Sequence, residues 1–443
     1  MVVLHIGFDD TDSPRGGCTT YVAALLVEKL QKLGATFNDY PNLIRLNPNV
    51  PWKTRGNGAL CLRVTCKKNT VDSVFEAVAD TVEENSDLGF KDTDPGIVFF
   101  HGVEIPREIK AFAKKTIQSI VKVKHALKLV KKFRAEALGF GTGYGIVGAL
   151  AAIGEILDRD HTYEVIAYRT PENRGTQRRL DLKSVREMDQ KTSPKTFNNI
   201  DPETKRILIT PRGPDPILYG IRGETAEAVI QAYKMIQPLE PIERWVVFRT
   251  NHGTDAHLRK VKTISSIQPY RPVIVTGTVA SMPKLIPRRH RIFSIKDETG
   301  KVDCAAYEPT GTLRKIARQL IVGDHVEVYG GVRPSTLERP LTVNLEKLRI
   351  VKLAHRLTTH NPKCPKCGKG TSSMGTGQGF RCSKCGFRSS NLRKMLVEEK
   401  RDVTEEFFVT SPRSQRHLTK PLSRYRKEKT CKPKIMLAGW HCP

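Results

Sequence analysis

The sequence predicts a multidomain α+β fold, in which an α/β domain is interleaved with a ferredoxin-like domain and followed by an OB-fold β-barrel and a zinc ribbon. Its 443 residues suffice for roughly three or four domains. Apolar runs alternate with helical patterns up to about residue 250, and short strand patterns replace them from Pro272 onward. Two Cys-x2-Cys pairs follow, with the spacing of a metal site.

The first 135 residues alternate between short apolar runs and amphipathic segments. Apolar residues three or four apart, such as Val74, Val78 and Val82, place one face of each helix in a core. This spacing predicts strands at 2–8, 59–66 and 96–100, and helices at 21–33, 71–84 and 109–133.

A second series of the same kind occupies residues 135–250. It predicts strands at 164–168, 206–210, 217–221 and 245–249, and helices at 146–157 and 224–235. The strand–helix–strand segments 59–100 and 217–249 look like the two halves of a ferredoxin-like sheet. We therefore expect an α/β domain formed by 1–58 with 135–200, and a ferredoxin-like domain formed by 59–134 with 203–250.

The region 265–352 has the pattern of an OB-fold, a barrel that commonly binds oligonucleotides. Strands are predicted at 273–279, 292–296, 302–307, 326–329 and 341–351, with a helix at 312–320 between the third and fourth. The basic run 288–291 is expected in a loop or at a strand edge, where its side chains can contact phosphates. An unrelated small β-domain is the alternative.

Four cysteines in the region 360–390 predict a zinc ribbon. Cys364 and Cys367 form one Cys-x2-Cys pair, Cys382 and Cys385 form the second, and 14 residues separate the pairs. Four thiolates suit tetrahedral structural Zn²⁺ and leave no open coordination position for catalysis. Ten cysteines are enough to form disulfides, but a metal site favours an intracellular, cytoplasmic protein instead.

The chain is strongly basic, with 74 Lys and Arg against 46 Asp and Glu and a net charge of +28. Such an excess favours a polyanionic partner, most simply nucleic acid, although a generally basic proteome is an alternative. We predict a basic tail over 391–443, which is either solvated or docked through Leu418, Leu422 and Trp440. No run of about 18 apolar residues and no signal peptide is apparent, so neither a membrane nor a protein partner is expected.

An acidic turn follows the first predicted strand. Asp9, Asp10 and Asp12 would repel one another there unless a cation lies among them. Carboxylates, water and phosphate oxygens together form an octahedral Mg²⁺ site, so the turn predicts Mg²⁺ carrying a nucleoside triphosphate. Gly16 and Gly17 would let backbone amides approach the phosphates.

Two threonines open the helix behind this turn. Thr19 and Thr20 are either ordinary N-cap residues or, together with the acidic turn, participants in phosphoryl transfer. Lys53 and Arg55, beside Gly56, are either a basic surface loop or a cradle that neutralises charge on a transferred phosphoryl group.

Two further segments are candidate binding sites. The turn 139–148 carries Gly141 and Gly143, whose amides are candidates for contacts with the nucleotide, although no Lys-Ser or Lys-Thr follows as in a P-loop. In 213–224, the residues Asp215, Tyr219 and Arg222 are candidates for binding a small polar or cationic substrate, and a structural turn is the alternative.

The Asp-Thr-Asp turn after a strand also resembles the start of a haloacid-dehalogenase-type phosphatase. That class needs a downstream Lys and a second acidic pair on an α/β frame. The nearest acidic candidate, Asp324, lies in the OB-fold region instead. This interpretation is therefore disfavoured.

Several motifs in order along the chain resemble those of the archaeal agmatinylcytidine synthetases of isoleucine tRNA, the TiaS family. The predicted OB-fold and zinc ribbon fit the same family, and the resemblance covers nearly the whole chain. The motifs are Asp-Asp-Thr-Asp-Ser (9–13), Gly-Cys-Thr-Thr (17–20), Leu-Ile-Arg-Leu-Asn-Pro (43–48), Lys-Thr-Arg-Gly-Asn-Gly-Ala (53–59), Gly-Ile-Val-Gly-Ala-Leu-Ala-Ala-Ile-Gly (145–154), Gly-Pro-Asp-Pro-Ile-Leu-Tyr-Gly-Ile-Arg-Gly (213–223) and Arg-His-Leu-Thr-Lys-Pro-Leu (416–422).

The resemblance implies a specific activity. The family attaches agmatine to carbon 2 of the wobble cytidine in the CAU anticodon of an isoleucine tRNA, so that the tRNA reads AUA. ATP activates the 2-carbonyl oxygen by phosphorylating it, and the agmatine amine then attacks the ring carbon. The first domain would be a kinase-like catalytic domain, the ferredoxin-like part would bind agmatine, and the OB-fold and zinc ribbon would hold the tRNA.

The resemblance also implies residue roles. Thr19 matches a threonine that is phosphorylated in the family. The three aspartates of the acidic turn would hold Mg²⁺ or orient the nucleophile, while Lys53 and Arg55 would stabilise phosphate charge. Two alternatives stay open: a non-catalytic protein that binds RNA or single-stranded DNA, and an enzyme that activates cytosine by adenylation.

Overall fold

The structure is a computed structural model that describes residues 1–431 and 435–442. Within these residues, no helix is long and apolar enough to cross a membrane. The first 139 residues form β1 (Val2–Asp9), α1 (Thr19–Lys32), β2 (Thr36–Phe37), β3 (Asn42–Arg45), β4 (Gly58–Cys66), α2 (Val71–Glu84), β5 (Gly96–His101), α3 (Arg107–Gln118), α4 (Val123–Lys132) and β6 (Glu136–Gly139).

The next part of the chain continues the same alternation. It forms α5 (Tyr144–Gly154), β7 (Thr162–Arg169), α6 (Leu182–Thr192), β8 (Thr196–Phe197), β9 (Ile217–Gly223), α7 (Ala226–Met235) and β10 (Ile242–Thr250). Nine strands of one 11-stranded sheet join both parts in the order β6-β5-β1-β4-β3-β10-β7-β9-β8; of the other two, β2 pairs with β4 and a short C-terminal strand pairs with β10. The only parallel pair along this path joins β3 to β10, where Asn42 lies opposite Arg249.

The strand pairing in this sheet differs from the pairing expected for an interleaved ferredoxin-like domain. Strands β4 and β5 both pair with β1, and β9 and β10 both pair with β7. The segments 59–100 and 217–249 thus do not pair with each other. Along this order, residues 2–139 supply one half of the sheet and residues 162–250 supply the other, and the β3–β10 contact places the acidic turn beside the second half.

Two sequence predictions in this region are wrong. The helix expected over 109–133 is two helices, because Ser119 adopts an extended backbone that ends α3. This break lets α3 and α4 each pack against α5. The strand expected over 206–210 is an irregular segment with one isolated bridge between Ile200 and Ile207.

The third region is a closed five-stranded barrel, which confirms the OB-fold. Its strands pair in the cycle β12-β13-β14-β16-β15-β12, and α8 lies between the third and fourth strands as predicted. The elements here are β11 (Arg259–Lys260), β12 (Val273–Ile286), β13 (His290–Asp297), β14 (Gly300–Ala306), α8 (Thr312–Ala317), β15 (His325–Arg333) and β16 (Thr342–Lys352).

A small ribbon and a returning segment complete the chain. The elements are β17 (Leu357–His360), β18 (Ser372–Ser373), β19 (Phe380–Arg381), β20 (Arg388–Ser389), β21 (Met395–Glu398), β22 (Phe407–Val409) and β23 (His441–Cys442). Strands β18–β20 form the ribbon, and the β17–β21 pair connects it to the barrel.

The basic tail packs onto the rest of the molecule. Strand β22 pairs with β16 of the barrel, and β23 pairs with β10 of the large sheet. We call residues 411–431 between them the C-terminal strap. Leu418 and Trp440 are buried as the docked alternative requires, whereas Leu422 is exposed. The parts of the predicted tail at 432–434 and at residue 443 lie outside the described residues.

Candidate active site

The acidic turn lies at the end of β1, where the strand gives way to the start of α1. Asp9 fits against a glycine of α5, since a Cβ at Gly148 would lie 1.7 Å from its Oδ2 atom. Burial, with repulsion from Asp10, raises the pKa of Asp9 well above its usual value. The sheet therefore forces a carboxyl group into an environment that favours a neutral or cation-bound state.

The next residue, Asp10, adopts a left-handed backbone with φ 64°. Its Oδ2 accepts a hydrogen bond of 3.1 Å from the amide of Asp94. Burial, with repulsion from Asp12 and Asp94, raises the pKa of Asp10 to about 6. A divalent cation would reverse this shift, because it stabilises the ionised carboxylate.

The acidic turn is not a closed metal cage. Among the described residues, the only cluster of three or more ligand atoms within 4.8 Å is formed by cysteines of the ribbon. Mg²⁺ usually binds through one or two carboxylates together with water and substrate phosphates. The aspartates of the turn fit that partial ligand set.

Arg55 connects the acidic turn to the second half of the sheet. Its Nε donates to Oδ2 of Asp12 at 2.7 Å, and its Nη1 donates to Oδ2 of Asp215 at 3.1 Å. Its Nη2 donates to the carbonyls of Gly16 and Gly17 at 3.0 and 2.6 Å. The two glycines thus present carbonyls to an arginine in this state, rather than amides to a phosphate.

Asp215 is paired with a second arginine as well. Nη2 of Arg178 donates to its Oδ1 at 3.1 Å. Burial nevertheless raises the pKa of Asp215, against the opposing effect of Arg178 and Arg55. The carboxylate predicted to bind a cationic substrate therefore already holds two protein cations.

Thr19 is the first residue of α1 and is 6% exposed. Its Oγ1 accepts a hydrogen bond of 3.1 Å from Oγ1 of Thr11. The neighbouring Thr20 lies with Oγ1 3.0 Å from Sγ of Cys18, and Cys18 forms no side-chain cap on the helix. The helix start is thus open to an anion from the cavity.

Lys53 belongs to the loop that precedes β4. Its Nζ donates to the carbonyl of Arg55 at 2.8 Å, and burial lowers the pKa of Lys53. A Cβ at Gly56 would lie 2.7 Å from Nη1 of Arg45 and 2.9 Å from Nε2 of His417. The glycine therefore provides room for these two side chains.

A buried charged cluster that the sequence did not reveal lies beside the loop. Arg222 donates through Nε to Oε1 of Glu164 at 3.1 Å and through Nη2 to Nδ1 of His417 at 3.0 Å. His252 Nδ1 lies 3.0 Å from Oε2 of Glu164, and Arg45 donates to Nε2 of His252. The two imidazoles stack with centroids 5.0 Å apart.

The cluster has a defined protonation pattern. Burial, with repulsion from Arg45 and Arg222, lowers the pKa of His417 well below its usual value. Burial likewise lowers the pKa of His252 to about 3, although Glu164 opposes the shift. Although burial opposes it, Arg222 holds the pKa of Glu164 well below its usual range. Two neutral imidazoles and one carboxylate therefore accompany two arginine cations.

One cavity of about 550 Å³ unites most of these groups. The C-terminal strap contributes Arg413, Gln415 and His417 to its wall. Of the residues predicted from the sequence, those that line it are Asp9, Asp10, Asp12, Thr19, Thr20, Lys53, Arg55, Gly56, Asp215 and Arg222.

The other predicted residues lie outside the cavity wall. Gly16 and Gly17 contact Arg55, as described. Gly141 and Gly143 have left-handed backbones, and a Cβ at Gly141 would lie 1.8 Å from Oδ1 of Asp94, the residue whose amide holds Asp10. Tyr219 is fully buried in the core beside Tyr233, on the strand face opposite Arg222.

The ribbon forms the predicted metal centre. The Sγ atoms of Cys364, Cys367, Cys382 and Cys385 all lie within 4.8 Å of one another. Gly368 and Gly386 have left-handed backbones, and their amides donate to the carbonyls of Cys364 and Cys382. Four convergent thiolates fit structural Zn²⁺.

The fold and the cavity define a multidomain protein that joins an acidic, threonine-bearing site to OB-fold and zinc-ribbon modules. Family models match nearly all of it. They are the TiaS TCKD domain over residues 5–142, the TiaS FLD domain over 143–257, an OB-fold nucleic acid binding domain over 273–351 and the TiaS C-terminal zinc ribbon domain over 361–403. The first two models divide residues 5–257 into two continuous parts, as the sheet does.

Whole-chain comparisons agree. The isoleucine tRNA 2-agmatinylcytidine synthetase TiaS of Pyrococcus horikoshii is 44% identical over 424 residues, which cover 95% of this chain and 97% of the relative. A crystal structure of TiaS with its isoleucine tRNA and ATP matches with TM-score 0.87 and 39% identity, and one of TiaS with that tRNA, AMPCPP and agmatine with TM-score 0.84 and 36% identity. Both matches cover 96% of this chain and 98% of the other. The chain belongs to the TiaS family, which confirms the resemblance in the motifs.

Proposed function

We propose that this protein is an ATP-dependent tRNA-modifying synthetase that attaches agmatine to carbon 2 of the wobble cytidine in the CAU anticodon of isoleucine tRNA. The observation that carries the proposal is one cavity that holds the acidic turn, Thr19 and the Arg55 network within a chain similar along its whole length to TiaS proteins solved with tRNA, ATP and agmatine. A non-catalytic RNA-binding protein is not favoured, because it would have no use for this buried acidic site.

The reaction needs activation of a poor leaving group. In the proposed sequence, the γ-phosphoryl group of ATP passes to the 2-carbonyl oxygen of cytosine. The agmatine amine then attacks carbon 2, and phosphate leaves with the oxygen while the amine loses a proton. The wobble base must leave its stack to enter the cavity, because stacking hides the carbonyl.

Asp9, Asp10 and Asp12 would share two roles in this proposal: holding Mg²⁺ together with the phosphates of ATP, and orienting the nucleophile. Bound there, Mg²⁺ would neutralise charge on the phosphates. Thr19, at the open start of α1, would accept the γ-phosphoryl group of a separate ATP, with release of ADP and of its hydroxyl proton; Thr11 donates a hydrogen bond to its oxygen. Lys53 would add positive charge nearby.

Asp215 and Arg222 are proposed to bind agmatine in the other half of the cavity. Agmatine is a guanidinium compound, and Asp215 already binds the guanidinium groups of Arg55 and Arg178. We propose that agmatine displaces Arg55 from Asp215. The freed Nη1 would then be available to the phosphate oxygens of the activated cytidine, where it would assist the departure of phosphate as the amine attacks.

Incubation of the protein with ATP, Mg²⁺, agmatine and an unmodified isoleucine tRNA transcript tests the proposal. Nuclease digestion and mass spectrometry should find an agmatine adduct on the wobble cytidine. A transcript with a different anticodon is the control and should remain unmodified. Absence of the adduct from the CAU transcript would overturn the proposed function. The tRNA substrate and the thiolate metal site are the reasons to expect a cytoplasmic enzyme.

A further inference from the structure

A second cavity of about 530 Å³ lies between the loop before β4 and the OB-fold barrel. It adjoins the first cavity, because Val50 belongs to the walls of both. The strap also separates them: Arg416 lines the second cavity, and the next residue, His417, lines the first. A chain that reaches into both cavities would need to cross only this thin partition.

Two tyrosines line this cavity, and the surrounding structure fixes the backbone of one and the side chain of the other. Tyr270 adopts a left-handed backbone with φ 61°, which is strained for a residue with a large side chain. Its amide donates to the carbonyl of Val332 at 2.9 Å, and its carbonyl accepts from Nδ2 of Asn47 at 2.9 Å. The catalytic region and the barrel thus fix this strained residue from both sides.

Tyr307 is fixed on the barrel side. Its hydroxyl donates to Oδ1 of Asn344 at 3.1 Å, and its ring packs edge-on against His290 with centroids 4.9 Å apart. Ordered aromatic rings in an open cavity are the surfaces on which nucleobases stack.

The polar groups of the cavity favour an anionic ligand. Arg333 is exposed, and its side chain has no hydrogen bond or ion pair within the described part of the chain. Nη1 of Arg416 donates a hydrogen bond of 2.6 Å to Oδ1 of Asn49. Nδ2 of Asn49 is buried and has no hydrogen-bond partner among the described residues. No carboxylate of a described residue lines this cavity.

We propose that the second cavity binds a nucleotide directly adjacent in the RNA strand to the wobble cytidine. The tyrosines would stack on its base, Arg333 would pair with its phosphate, and the unpaired amide of Asn49 would contact it. The inference rests on the proposed function, because that function places the wobble base in the first cavity. Two consecutive nucleotides of one strand would then lie in the two cavities, on opposite sides of Val50 and the strap.

Two variants of the full-length protein test the inference through tRNA affinity, which does not depend on turnover. Tyr270→Gly removes the ring at a position whose left-handed backbone suits glycine, and Arg333→Gln removes an exposed charge. Each should weaken binding of the CAU transcript by about tenfold, which is within the range for loss of one base stack or one phosphate contact. Arg186→Gln, an exposed arginine on α6, is the matched control and should bind as the wild type does.

A second comparison identifies the nucleotide. CAU transcripts with an abasic residue on either side of the wobble cytidine are measured with the wild type and with Tyr270→Gly. One of them should lose affinity for the wild type by about tenfold and show no further loss with the variant, because the same contact is already absent. Additive losses with both abasic transcripts would overturn the inference, as would unchanged tRNA affinity of both variants. If the wild type forms the agmatine adduct and both variants bind the CAU transcript with unchanged affinity, this inference is refuted and the proposed function stands.

Discussion

Nη2 of Arg222, on β9 of the large sheet, donates a hydrogen bond of 3.0 Å to Nδ1 of His417 on the C-terminal strap. The bond joins residues 195 positions apart in the sequence. It means that the wall of the candidate active site is complete only after the chain has formed the barrel and the ribbon and returned. The modules expected to hold tRNA and the cavity expected to modify it are therefore physically connected.

The strap should position Arg222 for the reaction. His417→Ala leaves the partly buried guanidinium of Arg222 without one acceptor, so we expect kcat for tRNA modification to fall about tenfold or more. His417→Asn keeps an acceptor close to the position of Nδ1 and should restore much of the rate. Steady-state kinetics of both variants measure this, with Leu422→Ala at an exposed strap position as control. Equal rates for His417→Ala and the wild type would contradict a positioning role.

The neutral histidines of the buried cluster should make the fold sensitive to acid. The pKa of His252 is lowered to about 3, so below pH 6.5 the unfolded chain binds a proton that the folded protein does not. This residue alone should reduce the free energy of unfolding by about 1.4 kcal/mol for each pH unit between 6.5 and about 3. Urea unfolding at pH 7 and pH 5 measures the change. His252→Gln should show a smaller difference between the two pH values, and an unchanged difference would contradict the assignment.

Asp10 should control nucleotide binding near pH 6. Its pKa of about 6 means that it becomes protonated as the pH falls through that value, so ATP binding in the presence of Mg²⁺ should weaken. Calorimetric titrations at pH 7.5 and 5.5 test this. Asp10→Asn should bind weakly at both values, whereas Asp72→Asn, at an exposed position on α2, should follow the wild type. If Asp10→Asn kept the pH dependence of the wild type, another group would be responsible.

Arg55 should not tolerate replacement by lysine. A single ammonium group cannot reach Asp12, Asp215 and the two glycine carbonyls together, so Arg55→Lys should lower both activity and thermal stability. The expected loss of stability is on the order of 1–3 kcal/mol, because charged groups lose buried partners. Arg15→Lys alters an exposed pair with Asp87 and should cost much less stability, because solvent screens exposed ion pairs. Similar losses in the two variants would show that the Arg55 network is not distinctive.

Loss of the zinc site in the ribbon should weaken tRNA binding and leave the affinity for ATP unchanged. Cys364→Ser removes one of four thiolates, so we expect loss of bound zinc and weaker tRNA affinity with unchanged affinity for ATP. Metal analysis and separate titrations with tRNA and ATP measure these effects. Cys431→Ser, at an exposed cysteine outside the cluster, is the control. Unchanged tRNA affinity after zinc loss would contradict the proposed role of the ribbon.

The parts of the fold that local patterns determine could be predicted from the sequence. The spacing of Val74, Val78 and Val82 predicted α2 with its observed bounds, and the alternating strands after Pro272 predicted the barrel. The break at Ser119 was missed because apolar spacing continues across it. The pairing of β3 with β10 also escaped prediction, because no local signal identifies which distant strands meet.

The candidate site shows the same division. The acidic turn, Thr19 and Arg55 could be singled out from short motifs, and all of them line the cavity. Strand periodicity of two also implies that Tyr219 and Arg222 point to opposite faces, which is what the structure shows. Glu164 and His252 carried no recognisable motif, because the long-range packing of three separate segments brings them together.

Transfer of labelled phosphate from ATP tests directly whether the protein activates the wobble cytidine by phosphorylation or by adenylation. The protein is incubated with Mg²⁺, CAU transcript and ATP labelled either at the γ-phosphate or at the α-phosphate, with and without agmatine. We expect γ label to reach Thr19 and the wobble cytidine, the label on the cytidine to disappear when agmatine is added, and Thr19→Ala to form no labelled protein. Label from the α-phosphate on the cytidine, with none from the γ-phosphate on protein or RNA, would contradict phosphoryl transfer and establish adenylation instead.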